Sequence, residues 1–307
     1  MVLASLPDSS WIDDVGPVSG IELVAWDVHA APERADELEV VVPPYLDQAL
    51  RLDLLGGLSR LRAVQLLTAG FEQVAPHVPH GVRLCNAAGV HDASTSELTL
   101  SLILASLRGI PEFAVAQRDS RWLPTRTWPA LADKRVLVVG YGQVGKAIVR
   151  RLLPFEVQVT AVASRARAGD DLVDSVHGID ELPDLLHRHD IVVLIVPLTQ
   201  ATTGLADAAF LAAMPDGALL VNVARGKVVD TDALLAETST GRLRAALDVT
   251  DPEPLPADHA LWKSPGVLIS PHIGGASTAF RPRAVQLVGE QLERYVAGSP
   301  LANVVQG

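Results

Sequence analysis

The sequence holds one cysteine, Cys85, among 307 residues, and aromatic residues make up only 4% of it. A lone cysteine excludes an internal disulfide and fits a reducing compartment, so a cytoplasmic location is expected. With few aromatics, the core must be mostly Ala, Val and Leu, as is usual for sheets covered by helices. Basic residues are in deficit. Against 36 Asp and Glu stand 25 Lys and Arg, a formal charge of −11 that argues against a nucleic-acid partner. Long apolar runs are also missing. Mean hydropathy is +0.26, yet no run approaches the roughly 18 residues a membrane span needs, so no membrane partner is expected. Residues 1–20 carry Asp8, Asp13 and Asp14 with no basic start and do not read as a signal peptide. His77 and His80 lack a neighbouring Cys or carboxylate cluster, and His187-Arg-His189 reads as a solvated helix end, so no metal is expected.

What is present is an alternation of short apolar strands and helical stretches, which predicts an α/β fold of doubly wound parallel sheets. The strand candidates of the front part are Ile21–Trp26, Leu38–Val42, Ala63–Leu67 and Val82–Cys85. Helical signals lie at Leu46–Leu55 and Ser94–Gln117; Ser94-Thr-Ser-Glu97 fits a capping box, and Gly109-Ile-Pro111 marks a break. A connector with Trp122 and Trp128 follows. These two tryptophans and Trp26 are expected in core or oligomer contacts rather than as pocket walls. A more regular series then begins, with strands at Arg135–Val139, Gln158–Ala163, Ile191–Val196, Ala218–Val223, Ala245–Val249 and Val267–Ser270, and a last long helix over Ala276–Val296. Cys85 ends an apolar strand and is expected to be a buried small hydrophobe.

The strand Arg135–Val139 runs straight into Gly140-Tyr-Gly142-Gln143-Val144-Gly145 and then into helical apolar spacing. That order is the context in which G-x-G-x-x-G signals a dinucleotide site. Gly140 permits the tight turn, Gly142 lets backbone approach a pyrophosphate, and Gly145 lets the helix pack close to the sheet. Four further stretches each follow a predicted strand, at the sheet edge where the cofactor would lie. They are Val196-Pro197-Leu-Thr-Gln-Ala-Thr202, Val221-Asn222-Val223-Ala-Arg225-Gly226, Ala246-Leu-Asp248-Val-Thr-Asp-Pro-Glu253-Pro254 and Ser270-Pro-His272-Ile-Gly274-Gly275. Arg225, Glu253 and His272 are a set suited to carbonyl reduction by hydride. A guanidinium holds a carboxylate and polarises the adjacent carbonyl, an imidazole gives a proton to the oxygen, and a carboxylate fixes the imidazole tautomer. A structural ion pair, a surface acid and a loop histidine are the plainer alternatives for the three.

The ordered blocks from about Trp128 to Gly275 resemble the D-isomer-specific 2-hydroxyacid dehydrogenases: glycine fingerprint, P-L-T-x-x-T, N-x-x-R-G, A-L-D-V with E-P, and P-H-I-G-G. The resemblance implies a Rossmann cofactor domain over 95–275 and a smaller flavodoxin-like substrate domain over 1–94, completed by 276–307. Their crevice would hold the active site. It implies that Arg225 binds the substrate carboxylate and carbonyl, that His272 is the acid–base and that Glu253 is its partner. Val223 and Asp248 would meet the nicotinamide end, and Gln143 and Val144 the pyrophosphate. Pro197, Thr202 and Gly274 would be further cofactor contacts. Leu67-Thr68-Ala69-Gly70 resembles the family's loop whose amides hold the substrate carboxylate. A two-fold homodimer is implied as well.

The second strand of the cofactor unit ends in Ala163-Ser164-Arg165-Ala-Arg167. No acid stands where one would accept the ribose hydroxyls of NAD, and the next ones are Asp170 and Asp171. A hydroxyl followed by two arginines suits a 2′-phosphate, so NADP is expected in preference to NAD. The expected reaction is reduction of a small 2-oxo acid such as glyoxylate or hydroxypyruvate to a D-2-hydroxy acid. Two other readings share the fold: a cofactor-sensing interaction protein, and oxidation of another small donor such as phosphite or formate.

Overall fold

Runs such as Val136-Leu-Val-Val and Ile191-Val-Val-Leu are apolar at every position, which suits strands covered on both faces. The computed structural model describes residues 1–47 and 49–307, which divide into two compact units: Met1–His91 with Thr278–Gly307, and Asp92–Ser277.

The first unit opens with β1 (Val2–Leu6) and α1 (Ser9–Val15). Asp8 caps α1 by accepting from the Ser10 and Trp11 amides, and Gly16 ends it with φ 70°. Strands β2 (Ile21–Ala25), β3 (Leu38–Val41), β4 (Ala63–Gln65) and β5 (Arg83–Cys85) follow, and β1 to β5 pair in parallel. The helix expected over Leu46–Leu55 is not formed as such. A 3₁₀ helix spans Leu52–Gly57, and Gln48 lies outside the described residues.

The second unit begins with α2 (Asp92–Arg108) and α3 (Ile110–Arg118). Gly109 between them has φ 68°, and the chain bends there by 69°. A Cβ on Gly109 would stand 2.2 Å from the Trp128 ring, so the break also makes room for that indole. The capping box expected at Ser94 is overturned. The helix starts two residues earlier, and Ser94 lies inside it, buried, with its hydroxyl 2.6 Å from that of Ser277. Then come β6 (Arg135–Val139), α4 (Gln143–Leu152), β7 (Gln158–Ala163), β8 (Arg167–Ala168), β9 (Ser175–Gly178) and α5 (Leu182–Leu186). The unit is completed by β10 (Ile191–Leu194), α6 (Ala208–Ala213), β11 (Leu219–Asn222), α7 (Thr231–Ser239), β12 (Arg244–Leu247) and β13 (Val267–Ile269). Its sheet has the order β13-β12-β11-β10-β6-β7-β9-β8, parallel throughout except at β8. Val136 and Val138 of β6 pack on one side with Ile148 and Val149 of α4, while Leu137 and Val139 pack on the other with Leu182 and Phe210. Each fully buried aliphatic side chain contributes about 1.5–3 kcal/mol.

The chain then returns to the first unit with α8 (Phe280–Val296) and β14 (Val304–Gln306). The helix starts later than the expected Ala276, and Pro282 sits in its first turn, where a missing N–H costs nothing. Phe280, Ala284, Val288 and Leu292 join Ala4, Leu6 and Val40 in one core, and β14 adds antiparallel to β5. The sheet order is β14-β5-β4-β3-β1-β2. Among the described residues no single helix is long and apolar enough to cross a membrane.

Candidate active site

In the second unit the chain runs from β6 to β7 and β9 on one side, then crosses to β10 and onward on the other. The carboxyl ends of β6 and β10 therefore mark the switch point at which open α/β sheets bind ligands. The glycine turn stands there. Gly140 has φ 110°, and a Cβ on it would lie 2.1 Å from the Ile195 carbonyl oxygen, just past β10. A Cβ on Gly145 would lie 2.0 Å from the Gly140 oxygen, so α4 is seated directly against the turn. Gly142 is different: nothing stands within 4 Å of the place its Cβ would take. No side chain caps α4, which leaves the amides of Gln143, Val144 and Gly145 and the positive end of the helix for an anion. This cradle fits the pyrophosphate of a dinucleotide.

Around it lie the other loops that follow strands. Thr202 closes the 197–202 loop, donating to the Pro197 carbonyl at 2.6 Å and accepting from the Thr199 amide at 2.8 Å. Val223, just past β11, is buried. Ser164 and Arg165 are exposed beyond β7, and Arg165 has no ion-pair partner among the described residues. Arg167 is not equivalent to it. Its Nη2 donates to the Tyr141 carbonyl at 2.9 Å.

Glu253 and His272 are brought together: His272 Nδ1 lies 2.5 Å from Glu253 Oε1, with both side chains about two-fifths exposed. The loop that presents His272 is held by Asp248. This buried carboxylate accepts from the Ser270 hydroxyl at 2.7 Å and from the amides of Ile273 and Gly274 at 2.9 and 2.8 Å. The Asp248 carbonyl in turn accepts from the His272 amide at 2.7 Å, and His272 itself has φ 54°. A non-glycine residue in that region costs on the order of 1 kcal/mol and persists where the surroundings impose it. A Cβ on Gly274 would meet Asp248 Oδ2 at 2.9 Å, and Thr95 of α2 donates to the Gly274 carbonyl. Nothing local in the sequence marks Ser270 or Thr95 as a support, since their bonds span 22 and 179 residues.

Arg225 makes no hydrogen bond with His272 or Glu253 among the described residues; its Nη1 donates to the Ala224 carbonyl. Its loop is nonetheless fixed. Asn222 donates to the Arg225 carbonyl and accepts from the Ala224 amide, and a Cβ on Gly226 would stand 1.8 Å from the Thr250 oxygen. The loop carrying Arg225 is thus packed against the loop that leads to Glu253. Ala69 and Gly70 lie in the first unit, with their carbonyls held by Asn86 Nδ2 and the Thr68 hydroxyl. Their amides donate to nothing among the described residues.

Other expectations are settled by burial. His189 is 5% exposed rather than solvated, its ring nitrogens lying 2.7 Å from the Leu185 carbonyl and 2.9 Å from the Thr160 hydroxyl. Cys85 is fully buried, which pushes its thiol up. Trp26 is buried with its indole N–H on the Ala30 carbonyl, whereas Trp122 is 98% exposed. Trp128 carries the Arg126 guanidinium 3.8 Å above its ring.

Comparison with known proteins agrees with this architecture. The family model for the NAD binding domain of D-isomer specific 2-hydroxyacid dehydrogenases matches residues 100–274. The chain is similar to human glyoxylate reductase/hydroxypyruvate reductase, 31% identical over 257 residues that cover 81% of this chain and 78% of that one. It is also similar to a glyoxylate reductase of Thermofilum pendens, 32% identical over 82% of this chain and 77% of the relative. Among solved structures, a D-isomer specific 2-hydroxyacid dehydrogenase of Xanthobacter autotrophicus Py2, crystallised with NADPH and MES, superposes with a TM-score of 0.81 at 29% identity. The match covers 99% of this chain and 98% of that one. The chain belongs to the D-isomer specific 2-hydroxyacid dehydrogenase family. It is an oxidoreductase with a Rossmann NAD(P)-binding domain.

Proposed function

We propose that this chain reduces a small 2-oxo acid, such as glyoxylate or hydroxypyruvate, to a D-2-hydroxy acid, and that it uses NADPH in preference to NADH. The observation that carries the reading is the His272–Glu253 pair at 2.5 Å, in a loop braced by Asp248 at the cofactor edge of the sheet. When bound, the dinucleotide supplies hydride to the carbonyl carbon. Glu253 accepts from Nδ1 of His272, so Nε2 is the nitrogen left to give a proton to the carbonyl oxygen. Arg225 holds the substrate carboxylate and polarises the carbonyl beside it. The amides of Ala69 and Gly70, which have no acceptor among the described residues, are the further carboxylate donors. On the cofactor side Gly140, Gly142, Gln143, Val144 and Gly145 cradle the pyrophosphate. Pro197, Thr202, Val223, Asp248 and Gly274 shape the edge on which the nicotinamide end rests.

The preference for NADPH is supported by Ser164 and Arg165 just past β7, where Arg165 has no ion-pair partner among the described residues and the sequence carries no Asp or Glu between β7 and Asp170. The 1–94 and 276–307 segments are proposed as the substrate domain and 95–275 as the cofactor domain. A homodimer belongs to the same reading: Ile110, Phe113 and Val115 of α3, with Trp122, leave apolar area exposed that a second copy would cover.

Oxidation of NADPH and NADH followed by absorbance, with glyoxylate, hydroxypyruvate, pyruvate and an aryl oxo acid, tests the proposal. Turnover with NADPH favoured is the expected result. Turnover with NADH favoured would keep the reaction and discard the cofactor assignment. Tight NADPH binding without turnover of any acid would point to a cofactor sensor instead.

A further inference from the structure

Of the two arginines that follow β7, the structure commits one. Strand β8 folds back antiparallel on β9, with Arg167 opposite Val176 and Ala168 opposite Ser175, and β9 runs parallel to β7. The turn between β8 and β9 is narrow: a Cβ on Gly169 would lie 1.8 Å from the Val173 oxygen. Ser164 and Arg165 therefore occupy a short bridge between two strands of one sheet. From this hairpin two ties reach the glycine turn and a third reaches α4. Arg167 donates to the Tyr141 carbonyl at 2.9 Å, Tyr141 donates its hydroxyl to Asp170 Oδ1 at 2.8 Å, and Lys146 Nζ lies 2.7 Å from Asp170 Oδ2. Tyr141 is 3% exposed, so its hydroxyl needs a partner, and Asp170 is that partner.

We propose that Asp170 is a positioning residue for cofactor discrimination: by bridging Lys146 of α4 and Tyr141 of the glycine turn, it fixes the Ser164–Arg165 bridge at the distance a 2′-phosphate needs. This rests on the NADPH reading above. Pyrophosphate binds to the turn and to α4 whichever cofactor is present, but only the 2′-phosphate reaches toward Arg165. Loss of the Asp170 tie therefore weakens NADPH and leaves NADH nearly as before. Lys146, and then Tyr141, hold the Asp170 carboxyl well below the usual carboxylate range, so the bridge stays ionised at neutral pH. Asp170 also carries a negative charge of its own, neutralised by Lys146. A purely electrostatic role would make its removal favour the phosphate, which is the opposite outcome.

The test is calorimetric titration of NADPH and NADH into wild type, Arg165→Ala, Asp170→Asn, Lys146→Met and the Arg165→Ala/Asp170→Asn double variant. Asp170→Asn should weaken NADPH about tenfold while NADH changes by less than about twofold. In the Arg165→Ala background the same change should add nothing to the ratio, because the two act on one contact. Lys146→Met, altering a surface side chain of α4, should shift the ratio in the same direction by a smaller factor. It decides the matter if Asp170→Asn does not fold. Equal weakening of both cofactors, an unchanged ratio, or tighter NADPH binding would each overturn the proposal. Should Arg165→Ala itself leave the ratio unchanged, the NADPH reading has failed and this inference falls with it. If Arg165→Ala lowers the ratio and Asp170→Asn does not, this inference alone is wrong.

Discussion

His272→Ala should lower kcat by about 100-fold or more while the Kd for NADPH, measured by titration, stays within about twofold. The imidazole lies in a loop after β13 and is separate from the cradle of Gly140, Gly142 and Gly145. Glu253→Gln should cost about 10- to 100-fold in kcat, because the amide still reaches Nδ1 but no longer fixes the tautomer with a charge. An equal loss in both variants, or loss of cofactor binding, would argue against these roles. At this scale the sequence shows chemistry that is local. Glu253 and His272 each follow a strand and carry an ionisable group, and the fold brings these two within 2.5 Å, whereas Arg225 bonds neither among the described residues. His189 gives no such signal. A histidine two residues past another at a helix end reads as solvated, and only packing places it beneath β7 against Thr160. That burial holds its imidazole below the usual value, so the unfolded chain takes up a proton more readily than the folded one. Stability from this group is complete above the unfolded value of about 6.5 and is lost as pH falls from there toward the folded value. Melting curves between about pH 7 and about pH 5.5 should drop more steeply for wild type than for His189→Gln.

Among elements, the β6–turn–α4 unit separates two uses of glycine that look alike in the motif. Gly145→Ala puts a methyl group 2.0 Å from the Gly140 oxygen and should destabilise the protein by about 2 kcal/mol or more, seen as a lower denaturation midpoint. Gly142→Ala meets no neighbour, and its φ of −91° suits any residue, so its midpoint should match wild type while both cofactors bind more weakly. A stable Gly142→Ala that binds both normally would show that no ligand approaches there. Legibility at this scale followed length and period. The sequence bounds β6 and β7 to the residue because they are apolar runs that end at clear turns. Strands β8 and β9, of two and four residues, and the three-residue β14 gave no period to read, and their pairing comes from neighbours far along the chain. Ser94-Thr-Ser-Glu97 has the composition of a cap and so suggests too late a start for α2, which begins at Asp92. In the fold, Ser94 bonds Ser277 and Ser96 bonds back to the Asp92 and Ala93 carbonyls.

For the molecule as a whole, the first unit is assembled from two separated stretches, with Asp92–Ser277 between them. Buried Gln291 of α8 seals the join: its amide donates to Gln65 Oε1 at 2.8 Å and to the Ala302 carbonyl, and its oxygen accepts from the Ala302 amide. Gln65 bonds on to the Leu66 and Asn86 carbonyls. The ordered motifs made the second unit legible because each marks the end of a strand. The join had no such marker, since glutamine in an amphipathic helix reads as an exposed residue. Its consequence concerns the order of events during synthesis. When Ser277 leaves the ribosome, the second unit holds every residue of its sheet, whereas the first lacks α8 and β14 and exposes the apolar face around Leu6 and Val40. Residues 1–91 must therefore wait through the making of 186 more, Asp92–Ser277, before their partner arrives, and a chaperone would find its substrate in that interval. Ribosome-held chains stalled with Ser277 just emerged should yield a protease-resistant fragment of the second unit and a readily cleaved first unit. Chains stalled after residue 307 has emerged should resist in both, and early resistance of residues 1–91 would show that their sheet closes without its other half.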